Sequence, residues 1–314
     1  MRQLIFFVLI SQICAYPRWF HDYKTKHRKA YTKKEERSNY HILRHKYLLV
    51  KQHSNDDVLL QLNANSDRNM TLPNKHIQKR RHRWSEWAEG YSVVHKLNTP
   101  PRFDWREHHY VTAPKRQGSC GGCFAFAAVG HLEFWYKKMS GTLKPLSIQQ
   151  ALDCSGPESD GCDGGLMEDV FYHSFWNPIG PERFDRWKGH NSVCKHRKWH
   201  PYVEVDTYVS MSDEYNDPVE DHLAKNIHSY GPIPVAVDSS GSHFELYHSG
   251  ILRHTHCGKN VDHAVLVVGY TSEYWIVKNS WGTTWGQGGY MYLERGTNAC
   301  GINSYAAFAT SVSI

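Results

Sequence analysis

The chain has 314 residues, of which 40% are hydrophobic, and a formal net charge of +6. That length allows one large domain, or two halves sharing an interface, plus a leader. No apolar run reaches the ~20 residues of a membrane-spanning helix, and no repeat or low-complexity tract is present, so neither a helical membrane span nor a repeat array is expected.

The opening stretch "MRQLIFFVLISQICAYP" has one basic residue, an apolar run from Leu4 to Ile10 and small or polar residues ending near Ala15. This three-part pattern predicts a secretory signal peptide over residues 1–15, and with it the secretory pathway, ending in a lysosome or outside the cell. Disulfides persist in that compartment. Of the eight cysteines Cys14 leaves with the signal, and the seven that remain are an odd number. An odd count predicts an intermolecular bridge or a reactive thiol.

The charge is uneven. Residues 17–97 carry 18 Lys/Arg against 8 Asp/Glu, and residues 98–314 carry 18 against 23. The two parts are complementary and can dock on each other; the alternative, a basic arm for nucleic acid or membrane, specifies no partner. From Phe20 to His53, Tyr40, Leu43, Tyr47 and Val50 recur at steps of three and four, which predicts one or two amphipathic helices. Residues 54–97 lose that period and read as extended chain or loop, with a basic cluster at Lys79, Arg80, Arg81 and Arg83 and an N-glycosylation sequon at Asn69. Pro100 and Pro101 mark a boundary. A helix is predicted over 123–139, then a loop-rich cysteine region to about residue 200. Strand-like runs follow: "IPVAVD", "HAVLVVGY", "YWIVKN" and "GYMYLER". Helices first and strands afterwards predict an α+β fold with two halves packed face to face.

Within "QGSCGGCFAF" Cys120 and Cys123 stand three apart, and C-x-x-C alone fits a redox pair, half a zinc site, or a structural cysteine beside a reactive one. A thiol nucleophile needs a base, a group that holds the base, and donors for the oxyanion. Cys123 opens the predicted helix, whose N-terminus lowers a thiol pKa. His263 in "VDHAVLVVGY" is the candidate base, Asn279 in "YWIVKNSWGTTWG" its orienter, and Trp281 a shield over their hydrogen bond. Gln117 offers an amide N–H to the oxyanion, beside the backbone N–H of Cys123. "HTHC" at 254–257 lacks the companion cluster of a zinc site, so no metal and no cofactor is expected.

These blocks resemble the papain family of cysteine proteases. "FDWRE", "QGSCGGCFAF", "LSIQQALDCSG", "GCDGGLM", "VDHAVLVVGY", "KNSWGTTWGQGGY" and "ACGI" stand in that family's order, with His263 140 and Asn279 156 residues beyond Cys123. "CGGC", "LSIQQALDC" and "GTNACGI" are similar to cathepsins of the O or L type. The resemblance implies a papain-like two-subdomain fold, a helical half and an antiparallel β-barrel-like half, over residues 98–314. Residues 16–97 become an inhibitory helical propeptide. It implies cysteine endopeptidase activity through a thiolate–imidazolium pair. Cys123, His263, Asn279 and Gln117 take the catalytic roles, and bridges join Cys120–Cys162, Cys154–Cys194 and Cys257–Cys300. Gly164, Gly165, Leu166, Met167, Ala236, Asp262, Trp281 and Tyr305 line the substrate groove, with Tyr305 shortening the pocket for the second residue before the scissile bond. Implied partners are peptide and protein substrates, the chain's own propeptide and cystatin-type inhibitors; nucleic acid and a membrane span are not expected. The seven residues between Cys154 and Cys162 leave no room for the occluding loop of the cathepsin B type. Phe124 and Gly122 depart from the usual Trp and Ser, and a leader stretch "QLNANSD" keeps Asn63 and Asp67 of the usual G-x-N-x-F-x-D but carries Gln61 and Asn65.

Overall fold

In the charge-rich N-terminal stretch Thr32 divides two helices, α1 (Arg18–Lys26) and α2 (Lys33–His53). The Thr32 hydroxyl accepts from the Glu35 N–H while the Glu35 carboxylate accepts from the Thr32 N–H, a reciprocal cap that starts α2. These belong to a computed structural model that describes residues 16–54, 57–68, 98–155, 159–195, 202–212 and 219–314. The predicted signal peptide at 1–15, the sequon at Asn69 and the basic cluster at 79–83 lie outside the described residues.

The apolar stripe of α2 is shared between two partners. Leu43 is buried with Phe20 and Tyr23 of α1, and Tyr47 stacks on Trp19 at 4.4 Å. Leu49 and Val50 pack instead on the apolar cluster that joins Val58 and Leu60 to the C-terminal half. The chain then forms a short strand, β1 (Val58–Leu60), and a buried turn in which Asp67 holds Lys29 and Tyr31. Extended chain here was legible in the sequence; a strand that joins the main sheet was not.

The remaining elements are β2 (Phe103–Asp104), α3 (Cys123–Ser140), α4 (Ile148–Cys154), α5 (Met167–Trp176), β3 (Glu204–Ser212), α6 (Val219–Tyr230), β4 (Ile233–Val237), α7 (Ser242–Glu245), β5 (Tyr247–Leu252), β6 (His263–Tyr270), β7 (Tyr274–Lys278), β8 (Tyr290–Glu294) and β9 (Tyr305–Ser313). Strands follow the order β1-β5-β8-β7-β6-β4-β9-β3, with β2 on β6. Neighbours run antiparallel except β5 and β8, which are parallel. One apolar core lies among the strands and α6, and a second joins α3, α4 and α5 to Ala264, Ala307 and Ala309 of the sheet. The fold is mixed α+β, built as two packed halves. Helices are not confined to the first half: Leu223, Ala224 and Ile227 give α6 a buried stripe amid the strands.

α3 is buried on nearly every side, and His131 on it is fully buried. Its Nδ1–H donates to Pro232 O at 2.7 Å, and its Nε2 accepts from the N–H of Ala309 and from Trp135 Nε1–H, both at 3.0 Å. Burial holds its pKa down at about 4, against the backbone carbonyls that raise it. The neutral ring therefore stabilises the fold fully above the ordinary value of 6.5, and that contribution is lost as pH falls from 6.5 towards 4. The loss amounts to about 3 kcal/mol at ~1.4 kcal/mol per unit. Urea unfolding at pH 7 and pH 4.5 checks this: the pH-dependent loss should shrink by most of that amount in His131→Gln, whose stability is lower but flatter with pH.

Candidate active site

Cys123 is the first residue of α3, so its thiol sits where the helix N–H groups lack intrahelical partners. It is the one cysteine outside a disulfide among the described residues; Cys120–Cys162, Cys154–Cys194 and Cys257–Cys300 are bonded. Cys120–Cys162 and a hydrogen bond from Gly121 N–H to Cys162 O (2.7 Å) tie the turn before α3 to the loop carrying Gly164 and Gly165.

His263 opens β6, paired with Val237 of β4, and the next residue, Ala264, shares the apolar cluster of Cys123, Phe124 and Met167. The His263 ring donates from Nε2 to Asn279 Oδ1 at 2.8 Å. The Ser280 N–H donates to the same oxygen at 2.7 Å, which fixes the amide. Trp281 lies over the imidazole, ring centroids 5.1 Å apart, and Phe244 closes another side. His263, Asn279 and Trp281 are each no more than 3% exposed, so the hydrogen bond is kept from water.

Gln117 is joined to this frame by backbone. Its N–H donates to Ser280 O at 2.8 Å, and Gly282 N–H donates to Lys115 O at 3.0 Å. The Gln117 carboxamide accepts from the Ser280 hydroxyl and donates one N–H to Cys120 O at 2.9 Å. An amide nitrogen has two N–H bonds, so a second donor is left for an anion. Gln117, Asn279 and His263 are thus held in one buried hydrogen-bonded frame, and Gln117 reaches the turn before Cys123 through Cys120 O. Sequence reasoning missed Ser280, whose signal was its place directly after Asn279.

Behind the frame lies a polar network between the halves. Thr112 Oγ1 donates to Glu133 Oε2 on α3 (2.5 Å) and accepts from Lys278 Nζ at the end of β7 (3.0 Å). Lys115 Nζ stands 3.7 Å from Glu133 Oε1 and 2.9 Å from Glu182. Burial pulls Lys278 down to about 8, with Glu133 opposing and Lys115 adding to the shift. The cavity here has room for about one water and reaches Asn279.

The residues expected to line a groove divide by element. Ala236 lies in β4 opposite Ala264, and Asp262 accepts from Ser239 N–H at 2.7 Å; burial raises its carboxyl despite those bonds. Gly164, Gly165 and Leu166 lead into α5, which starts at Met167. Tyr305 opens β9 and donates its hydroxyl to Glu168 on α5; burial raises the phenol further, as does the carboxylate. The two departures have packing reasons. At Gly122 a Cβ would lie 2.9 Å from Leu152 Cδ1 and 3.0 Å from Trp187 Cη2, so glycine leaves room for the Trp187 ring. Gly122 has φ −78°, so the need is space and not a left-handed backbone. The tip of the Phe124 ring fills the space beside Gly165, where a Cβ would meet it at 2.7 Å.

The N-terminal segment reaches the site's edge. Asn65 Oδ1 accepts from Arg116, next to Gln117, at 2.5 Å. Lys46 pairs with Glu245 of α7, whose carbonyl accepts from Asn63 Nδ2 at 2.8 Å.

Residues 99–310 match the family model described as papain family cysteine protease. Cathepsin L of Sarcophaga peregrina is 33% identical over 93% of this chain and 92% of its own length. A digestive procathepsin L 3 from the larval midgut of Tenebrio molitor superposes with a TM-score of 0.79 at 26% identity, over 93% of this chain and 98% of that one. A Carica candamarcensis cysteine protease, CMS1MS2, in complex with E-64, aligns at 34% identity and TM-score 0.63 over 68% of this chain and 99% of its own.

If the Glu133 network holds the halves together, Glu133→Gln should cost about 3 kcal/mol of unfolding free energy, because it removes the buried carboxylate that accepts from Thr112 and the Leu146 N–H and offsets the charge of the half-buried Lys278. Glu133→Gln with Lys278→Met should recover part of that cost. Denaturant titrations of both singles and the double give the coupling.

Proposed function

This chain belongs to the papain family of cysteine proteases, a cysteine endopeptidase that hydrolyses peptide bonds through an acyl-enzyme, and on that premise we propose that Cys123 is its nucleophile, His263 its base and acid, Asn279 the orienter and Gln117 an oxyanion donor. The observation that carries this is the buried His263–Asn279 hydrogen bond of 2.8 Å, in one frame with Gln117, while Ala264 beside His263 packs in the apolar cluster of Cys123.

The thiol proton passes to His263, whose other nitrogen stays on Asn279, and the thiolate rests at the N-terminus of α3. The sulfur attacks the scissile carbonyl carbon. The oxygen, now negative, takes hydrogen bonds from the Cys123 N–H and the free N–H of Gln117. His263 gives its proton to the departing amine, leaving a thioester. A water molecule then loses a proton to His263, attacks the thioester and releases the carboxylic acid, and the thiol is restored.

Within the family we place the chain with cathepsins of the O or L type, a reading supported by its cathepsin L-like relatives. Residues 16–97 act as the inhibitory propeptide after removal of residues 1–15, and residues 98–314 are the enzyme, with its sheet read as barrel-like. Support comes from β1 pairing with β5 and from the Lys46–Glu245 and Asn65–Arg116 contacts. The zymogen travels the secretory pathway to a lysosome or the extracellular space, a reading supported by the signal-peptide pattern at its start. Its acceptors are peptides and proteins, and cystatin-type inhibitors fit the same groove. Gly164, Gly165, Leu166, Met167, Ala236, Asp262, Trp281 and Tyr305 form that groove, and the Tyr305–Glu168 pair limits the depth of its main pocket.

Acid-matured protein should hydrolyse peptides and take one epoxide label per chain, and Cys123→Ala should lose both. Asn279→Ala should lower kcat about 100-fold through a misoriented imidazole. Tyr305→Ala should raise kcat/KM about tenfold for a Phe over a Val in the pocket, since added room is worth that much. Turnover and labelling that survive in Cys123→Ala would overturn the assignment.

A further inference from the structure

Glu245 ends α7, one residue beyond Phe244, whose ring meets the His263 imidazole edge-on at 6.2 Å. Phe244 also meets Trp281 at 5.5 Å and Trp285 at 5.7 Å, so aromatic rings line the way from His263 to the residue before Glu245. The backbone of Glu245 is fixed from within the C-terminal half, because its carbonyl accepts from Trp285 Nε1–H at 3.0 Å. On the proposed mechanism His263 gives its proton to the departing amine, so the part of a substrate that follows the scissile bond leaves past this imidazole. The loop of Gly164, Gly165 and Leu166 is tied instead to the turn before Cys123, on the side of the acyl part.

The N-terminal segment sets a cation on the Glu245 carboxylate. Lys46 of α2 donates to Glu245 Oε1 and to Arg68 O, and Asn63 Nδ2 donates to the Glu245 carbonyl at 2.8 Å. The Lys46 side chain is 8% exposed and that of Glu245 14%, so the pair is largely kept from water. A carboxylate that loses such a partner remains partly desolvated, and another cation restores the interaction. Burial raises the Glu245 carboxyl and Lys46 pulls it back, so its ionised form depends on a cation beside it. His243 on the same turn does not fill that role near neutral pH: burial first, then His256 and His53, hold it below the ordinary histidine value.

We propose that Glu245 is a specificity-determining residue: in the mature enzyme its carboxylate takes a Lys or Arg side chain from the part of the substrate that follows the scissile bond, where Lys46 lies in the zymogen. This rests on reading the chain as a protease from which residues 16–97 are removed. The segment then covers a substrate-binding carboxylate with a lysine of its own.

The test uses acid-matured enzyme at pH 6.5 and low ionic strength, where screening is least. A quenched fluorogenic peptide with Gln at the first three positions after the scissile bond is the parent, and three further peptides carry Lys at one of those positions each. For at least one Lys peptide kcat/KM should exceed that of the parent about fivefold, and added salt should shrink that ratio. Glu245→Gln should bring the ratio close to one, and Glu245→Lys should bring it below one. Wild type without a Lys preference at any of the three positions would overturn the proposal, whether or not the variants fold and mature. A preference that persists in Glu245→Gln would overturn it as well. Failure to cleave even the parent peptide strikes the protease reading, whereas equal cleavage of all four strikes the role of Glu245 alone.

Discussion

Three residues of backbone on each side hold the site together. Residues 115–117 pair with 280–282, and two hydrogen bonds, Gln117 N–H to Ser280 O and Gly282 N–H to Lys115 O, fix where the amide donor lies relative to Asn279. Side chains reinforce that seam: Ser280 donates to Gln117 through its hydroxyl and to Asn279 Oδ1 through its backbone. Because Asn279 in turn holds His263, a displacement at Lys115 would be felt at the imidazole. The Thr112–Glu133–Lys278 network lies directly behind and anchors the same seam to α3, whose first residue is Cys123. The network is part-buried around one buried carboxylate, Glu133, and a charge left unpaired there costs more than the pair contributes.

The departures from the usual family pattern make sense as adjustments to neighbours. Gly122 yields to Trp187 and Leu152, and Trp187 in turn meets Phe126 edge-on at 4.7 Å. Phe124 fills the volume beside Gly165 without placing another indole N–H in a buried wall. Asn65, which stands where an aromatic is usual, has an amide oxygen that Arg116 reaches. None of the three alters an atom of the Cys123, His263, Asn279 and Gln117 frame.

What could be read in the sequence was chemistry with a local signature. The apolar stripe of α2, the start of α3 and the strands from 233 onward all have periods or end signals within a dozen residues, and the ordered blocks carried the family. What could not be read depends on long-range placement. Glu133 and Lys278 are ordinary charged residues until the fold sets both beside Thr112. Ser54, Asp57 and the glycine at 250 give no hint that Val58–Leu60 will pair with β5, because a three-residue strand has no period to detect. α6 was passed over because its stripe of Leu223, Ala224 and Ile227 is short and flanked by glycine and proline.

β1 is the first strand in the order of the sheet. It caps an edge of the sheet: Val58 faces Gly250, Gln61 N–H donates to Leu246 O, and Ile251 N–H donates to Asp57 O. Gly250 has φ +89°, and a Cβ there would run into the Asp57 carbonyl, so the C-terminal part carries a residue shaped to the strand that lies on it. On the proposed removal of residues 16–97, the outer backbone groups of β5 would face water, and an uncovered strand edge is a template for other chains. The left-handed glycine then breaks the regular row of donors and acceptors in the middle of that edge. The same residue that seats the N-terminal segment leaves behind a poor surface for self-association.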